Sequence, residues 1–447
     1  MKNNNNYIVA DIPELVKCFR AIIKDPIQGI GEILDQKGPV VRFSFGGRNL
    51  VISTNPGIAK QLLYDNYLFA DRKSSIQPLV PLLGSGIFVS EHQSWLNERK
   101  TMSPYFFGSL LDKYIKPLAD DFIREFTILA DKGESFGLEK KIKEILLEIN
   151  LKILVSPDVK PDRSLMVSDL DTFIENAAIH SHMKNEIKEF MLGAIGLKPG
   201  RSRKVSAALS RINTFTDQLV DDLKNGKLQK APLIEMLFEK YEEKALSLQQ
   251  IKDEIKNILF AGFDTTAGGL FWSFWLIENN PEKKRNMTEE IERLKDDTLD
   301  TQEKLRTLGY IRKICFEALR LYPPAWMFTR QILDEIPGFE EEIPLKSYFV
   351  LPVYHYHRNP EIWKAPDDFI PERFDDEAVT NSINYLAFGQ GPHKCIGSRL
   401  AIMELVIYLN EFYKNFEFEI IQKSHPGINP GIIMKSRNDW QVALRRK

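Results

Sequence analysis

Cysteine is scarce. The chain has 447 residues and three cysteines, Cys18, Cys315 and Cys395, far apart in sequence. An odd, sparse set is no disulfide framework and suits a reducing compartment. Structural zinc takes four ligands, and only His393 lies near Cys395. An iron–sulfur cluster usually needs four cysteines, more than the chain has. An excess of one charge is missing too. Sixty Lys and Arg face 62 Asp and Glu, for a net charge of −2, which argues against nucleic acid or an anionic membrane surface as partner. Residues 1–12 open on a polar Asn run that is expected to fray, and neither a signal-type apolar region nor a membrane anchor follows. A cytoplasmic protein without a membrane anchor is expected. One long apolar run exists, Ile258 to Ile277, but it carries Asp264 and three glycines. A mid-run carboxylate is costly in an isolated spanning helix, so a buried central helix is expected rather than a channel segment. There is no internal repeat.

What is present concentrates in one stretch, Phe388-Gly389-Gln390-Gly391-Pro392-His393-Lys394-Cys395-Ile396-Gly397. The apolar run Leu400 to Val406 follows and reads as a buried helix. Cys395 then sits just before a helix N-terminus, where free N–H groups and the positive dipole end favour a thiolate. A thiolate is what ligates a soft metal. Gly389 and Gly391 permit a tight turn against a flat partner, and Pro392 stiffens it. A buried core thiol is the competing reading, and the loop alone divides evenly between the two.

Hydrophobic residues make up 43% of the chain, ample for a large core. The pattern predicts a mainly α protein with smaller β-sheets, β-rich at about 38–55 and 325–355. Residues 13–35 read as one short amphipathic helix. Val40–Phe45 and Leu50–Ser53 read as a hairpin. Pro56 opens a helix to Leu63, capped by Asn55. Pro78 to Val89 reads as a loop packed over something. The next helix puts Trp95 and Arg99 on one face. Either the aromatic rests on an arginine stem, or an indole N–H and a guanidinium aim together at a carboxylate. Residues 111–158 and 162–242 read as successive helices. The segment 176–205 fits a lid and ordinary amphipathic helices equally.

A long helix is predicted from the capping box Ser247-Leu248-Gln249-Gln250 to Pro281, roughly 45–50 Å. Inside it, Ala261, Gly262 and Thr265 form a small-residue strip bearing a hydroxyl. Gly262, Gly268 and Gly269 together cost up to ~3 kcal/mol relative to alanine. Close approach of a bulky flat ligand would offset that, and so would tight helix packing. Asp264 beside Thr265 reads as a proton-delivery pair. Farther on, Glu317 and Arg320 lie i, i+3 on an otherwise apolar helix, so burial would demand a third charged partner. Arg373, in Pro371-Glu372-Arg373-Phe374, is the candidate. Cys315 reads as a core thiol.

Taken together, these motifs resemble the cytochrome P-450 family of haem-thiolate monooxygenases, in its soluble bacterial form. The Cys395 loop fits F-G-x-G-x-[HR]-x-C-x-G, and Ala261–Thr266 fits [AG]-G-x-[DE]-T-[TS]. Trp95-x-x-x-Arg99, Glu317-x-x-Arg320 and Pro371–Phe374 stand in the family's order. The resemblance implies a single triangular, prism-like domain over residues 1–447. Haem b would lie between the long helix and the helix after Cys395, under a lid at roughly 163–224. It implies Cys395 as proximal iron ligand, with Phe388 shielding the sulfur. Trp95, Arg99, Arg330 and His393 would hold the haem propionates, although His393 stands where many members have Arg. Ala261 and Gly262 would face the cofactor. Thr265 would be the oxygen-side hydroxyl and Asp264 its acidic neighbour. Glu317, Arg320 and Arg373 would form a structural triad. The loop Gly84–Ser90 is similar to one in bacterial fatty-acid hydroxylases of the family, which makes Phe88 a pocket candidate beside Ala261, Met327 and Phe328. The implied activity is O2-dependent monooxygenation of a small hydrophobic substrate. With no flavin- or ferredoxin-like extension, electrons would come from a separate ferredoxin, flavodoxin or reductase. The rival readings are a peroxide-using haem-thiolate hydroxylase, an isomerase or dehydratase acting on a peroxide, and a non-catalytic haem-binding protein. Retention of the Asp264–Thr265 pair argues against them.

Overall fold

The helix Leu248–Glu278 is the axis on which the other elements pack. It starts where the capping box predicts: Gln250 N–H donates to Ser247 Oγ at 3.2 Å, and Ser247 N–H to Gln250 Oε1 at 2.9 Å. It is apolar on nearly every side because it is covered on nearly every side, by helices Leu138–Leu154, Arg203–Lys224, Gly309–Leu321 and Ser398–Asn415. The computed structural model describes residues 8–10, 12–45, 48–72, 76–107, 109–177, 202–294, 307–422 and 424–447. Within them, no helix is long and apolar enough to cross a membrane. The central part of the lid segment, residues 178–201, lies outside the described residues. On either side of it, helix Arg163–Ala177 pairs with helix Arg203–Lys224 through a two-point Asp169–Arg211 contact at 2.8 and 2.5 Å.

The strands are β1 (Ile8–Ala10), β2 (Val40–Phe45), β3 (Arg48–Ser53), β4 (Ala70–Asp71), β5 (Phe136–Gly137), β6 (Phe328–Ile332), β7 (Tyr348–Leu351), β8 (Phe416–Ile420), β9 (Ile428–Pro430), β10 (Met434–Ser436) and β11 (Gln441–Arg446). The largest sheet runs β1-β2-β3-β7-β6-β4, and the small ones are β9-β10 and β5-β11-β8. In the hairpin β2-β3, Val40 and Val51 feed one apolar cluster while Val41, Phe43 and Ile52 feed another. Both faces are covered, which is why these strands are so apolar. Ile8–Ala10 pairs in parallel with Val41–Phe43, so this part of the N-terminus is a strand rather than a frayed end.

Three further readings change. Residues 13–35 form two helices, Ile12–Lys24 and Pro26–Lys37, because Pro26 breaks the first and Asp25 caps the second by accepting from Gln28 N–H at 3.1 Å. The helix at Pro56 is α-helical only to Lys60 and then widens to a π-turn, Gln61–Asp65. Pro78–Val89 begins as short helical turns before becoming a loop. The strands β5 and β8–β11 have no counterpart in the sequence reading. They anchor the Leu138 helix: Asp439, just before β11, accepts from Glu139 N–H at 2.8 Å and Lys140 N–H at 3.1 Å. A carboxylate 300 positions away thus caps that helix.

Candidate active site

The Cys loop is held by its own backbone. Cys395 N–H donates to Phe388 O at 2.8 Å and Lys394 N–H to Gly391 O at 3.0 Å. Gly389 and Gly391 are left-handed, at φ +68° and +73°. A Cβ on Gly391 would fall 1.9 Å from Leu63 O, so no other residue fits there. Gln390 ties the loop down by donating to the carbonyls of Thr380, Ser382 and Tyr385. Cys18 and Cys315 are buried, whereas Cys395 is exposed. Burial pushes the Cys315 thiol well up, as expected of a core thiol.

Burial is also the largest influence on Cys395 and pushes its thiol up, against the Gly397 N–H, Arg99 and Lys394. The helix-terminus argument for a free thiolate is therefore outweighed. A metal cation on the sulfur would reverse this, since a coordinating thiol is deprotonated outright. An accessible yet desolvated side chain faces a slot inside the protein.

The opposite wall is the long helix. Phe260, Phe263, Asp264, Thr266 and Ala267 are buried, but Ala261 is exposed and Gly262 and Thr265 are half-exposed. Thr265 Oγ1 donates to Ala261 O at 2.7 Å. The long helix and the Cys-loop helix meet at Thr266–Glu404, 3.3 Å apart, and at Gly269, whose missing Cβ would lie 3.4 Å from Leu405. On the N-terminal side of that crossing both walls are accessible. The glycines divide accordingly: Gly269 serves helix packing, and Gly262 presents backbone to the slot while the Cβ it lacks would point at Asn150.

Asp264 departs from expectation. Its side chain is fully buried and ion-paired with Lys143 at 2.8 Å and Lys435 at 3.1 Å. Asp171 pairs with the same two lysines. Burial pushes the Asp264 carboxyl up, but Lys435 and Lys143 outweigh it and hold it below the usual carboxylate range. Consecutive helix residues point about 100° apart, and Asp264 and Thr265 do not meet. A carboxyl at this crossing that keeps its proton at neutral pH is Glu404, which sequence reading missed. It is buried, accepts from Thr266 Oγ1, and burial pushes it up to about 8.

This has a measurable consequence. Between about 4.5 and about 8 the unfolded chain has released this proton and the native state has not. Native protein binds more protons there, so stability falls as pH rises, by up to about 1.4 kcal/mol per unit from this group. Glu404→Gln removes the effect. In urea unfolding from pH 5 to 8, its advantage over the parent should grow with pH; parallel profiles would contradict the assignment.

One end of the slot is cationic. Trp95 is buried and stacks on His393, ring centroids 3.8 Å apart. Burial, then Arg72, Arg330, Arg99 and His92, push His393 down to about 3, so it is neutral. Its buried Nδ1 has no hydrogen-bond partner among the described residues. Burial, then Arg72, push Arg330 down to about 10, and its guanidinium donates to Thr329 O at 2.8 Å. Arg72 takes Glu91 at 2.8 Å. Among the described residues no carboxylate pairs with Arg99 or Arg330. Arg72 was not legible as a site residue: β4 pairs Asp71 with Gln331, which sets Arg72 opposite Arg330 across two strands distant in sequence.

The remaining candidates are less concentrated. Phe88 meets Phe260 edge to face at 5.3 Å, beside Ala261. Met327 leans on the β2-β3 cluster, and Phe328 on the other sheet cluster with its ring tip near Gly389. Phe388 packs on the main core. Glu317 and Arg320 are fully buried and paired at 2.7 Å, and Arg373 is the expected third partner, 3.2 Å from Glu317.

A flat dianion carrying a thiophilic metal fits this donor set: sulfur on one wall, a small-residue notch on the other, and unpaired guanidinium groups at one end. That combination defines a haem-thiolate oxidoreductase. The chain belongs to the cytochrome P450 family, whose model matches residues 16–439. Its cofactor is haem b, and it is a monooxygenase by class. It is 24% identical to carotene epsilon-monooxygenase, chloroplastic, of Arabidopsis thaliana, over 93% of this chain and 81% of that one. It is 24% identical to cyclooctatin synthase of Streptomyces melanosporofaciens (86% and 84%) and 27% identical to cytochrome P450 4A6 of Oryctolagus cuniculus (91% and 82%).

Proposed function

We propose that this chain inserts one oxygen atom from O2 into a small hydrophobic substrate, with electrons from a separate donor protein. The observation that carries the reading is the wedge between accessible, desolvated Cys395 and the open Ala261–Gly262–Thr265 notch. Bound there, haem b supplies oxygen activation and C–H oxidation. Cys395 binds the iron, with Phe388 beside it. Arg99, Arg330, Trp95 and the neutral His393 hold the carboxylates, and we add Arg72 to that set. Ala261 and Gly262 keep the opposite wall thin. Phe88, Phe260 and Ala261 make the substrate side apolar, in keeping with relatives named for carotene and cyclooctatin. Lys394 and the exposed Arg399 on the Cys-loop side suit an acidic electron donor.

Thr265 holds a proton at Oγ1, parked on Ala261 O and free to swing into the slot. Asp264 is ionised and anchored by two lysines, so it serves first to fix the helix. Glu404, bonded to Thr266, is the carboxyl that holds a proton where the two helices cross. The case against a peroxide-using enzyme therefore rests on Thr265 rather than on an acid–hydroxyl pair. With NADPH and a donor pair, Thr265→Ala should cut product formed per electron by at least about tenfold and divert the remainder to peroxide. Peroxide-driven turnover should survive the change. Undiminished coupling with O2 in that variant would overturn the proton-holding role.

A further inference from the structure

The loop that carries Phe88 is gripped by one short segment of the long helix. Asp253 Oδ2 accepts from Ser85 N–H at 2.9 Å and from its hydroxyl at 3.1 Å. Both Glu254 oxygens share Ile87 N–H, at 3.1 and 3.3 Å. Asn257 Oδ1 accepts from Phe88 N–H at 2.9 Å, while its Nδ2 donates to Leu83 O at 2.8 Å and Asp253 O at 2.7 Å. All three side chains are buried. The approach is so close that a Cβ on Gly84 would fall 2.1 Å from Asp253, and one on Gly86 2.3 Å from Asn257. This accounts for Gly-x-Gly in Gly84–Gly86. One turn beyond Asn257 stand Phe260, against which Phe88 rests, and Ala261.

We propose that Glu254 and Asn257 are specificity-determining positioning residues that set the height of Phe88 over the Ala261–Thr265 notch. A buried carboxyl and amide are costly anchors for a loop that apolar side chains could cover. What they add is direction: each fixes one backbone N–H at one distance, and Phe88 N–H is one of them. The loop and the oxygen-side notch are thereby referenced to the same helix. How far a hydrophobic substrate advances beneath Phe88 follows from that fixed height. The proposal rests on the reading that Phe88 overhangs the haem slot.

The groups facing Glu254 are Glu98 of helix His92–Met102, which also accepts from the hydroxyls of Ser90 and Ser94, and Asp253 of its own helix, which pairs with Lys256 at 3.0 Å. Burial, then Glu98, push Glu254 up to about 8. Its ionisation strengthens the bond from Ile87 N–H while adding repulsion from Glu98, so the anchor changes across that pH.

Imidazole and 4-phenylimidazole test this through spectral titration of the haem-loaded protein. Both bind iron, but only the larger must fit beneath Phe88. Asn257→Ala should change the ratio of their affinities about fivefold, the worth of one hydrogen bond. The shift should match the direction of Phe88→Ala and vanish when Phe88→Ala is already present. Glu254→Gln, which keeps an acceptor for Ile87, should retain the parent ratio at pH 7 and lose the parent's break near pH 8. If Phe88→Ala moves the ratio and Asn257→Ala does not, or the two effects add, the proposal falls alone. If Phe88→Ala leaves the ratio unmoved, the pocket reading of Phe88 falls with it.

Discussion

Cys395→Ala will abolish the red-shifted Soret band that thiolate-ligated haem gives when reduced and bound to CO. Cys18→Ala and Cys315→Ala will leave the band in place, because both thiols are buried in apolar clusters. The effect at Cys395 is all-or-none. No other cysteine is accessible, and the Phe388–Gly397 loop turns this one into the slot through backbone bonds that alanine does not disturb. The desolvated sulfur is the main clue, since burial disfavours the charge that an iron cation would stabilise. Arg99, Arg330 and Trp95 survive the substitution, so some haem should still bind, with the spectrum of another ligand. Persistence of the red-shifted band in Cys395→Ala would remove the ligand assignment.

The parts of this site that could be read from the sequence are those whose determinants are contiguous. The Cys loop is one unbroken stretch, the long helix announces itself by its capping box, and Glu317 with Arg320 needs only i, i+3 spacing. What could not be read depends on who is opposite. Asp264 has a hydroxyl as its neighbour in sequence, but its partners in space are Lys143 on one helix and Lys435 on a strand near the C-terminus. That pairing turns a supposed proton donor into an anchored anion. Arg72 enters the site because β4 pairs with β6. His393 is a histidine of ordinary aspect until three guanidinium groups and burial are placed around it. Glu404 lies in an apolar run, where a carboxylate pattern gives no hint that burial will keep its proton. The glycines of the long helix looked alike, yet only the neighbours of each distinguish slot from packing.

Arg320→Leu should be the most damaging single substitution for stability. A guanidinium has five N–H donors, and all five are used here. Nε and Nη2 reach the two Glu317 oxygens at 2.7 and 2.8 Å. Nη1 reaches His357 O and Pro366 O, both at 2.7 Å, and Nη2 also reaches Asp368 O at 3.1 Å. The residue thus staples the segment His357–Asp368 to helix Gly309–Leu321. The connection continues to the haem loop: His357 Nδ1 donates to Arg320 O at 3.0 Å, and its Nε2 accepts from Leu386 N–H at 2.8 Å, two residues before Phe388. Breaking a buried pair by removing one partner costs about 3–5 kcal/mol. Three orphaned carbonyls add to that, against a net stability of about 5–15 kcal/mol for a typical domain. Arg320→Lys should recover little, since an ammonium offers three donors from a point. Removing Glu317 as well does not rescue the carbonyls, so the double apolar replacement stays unstable. Arg373→Leu should cost clearly less, because Arg373 is partly exposed and Glu317 keeps Arg320 and the Ile370 N–H. Urea unfolding of the haem-loaded proteins, with haem retention followed alongside, gives the order. An Arg320→Leu protein within about 1 kcal/mol of the parent, or less harmed than Arg373→Leu, would refute the staple.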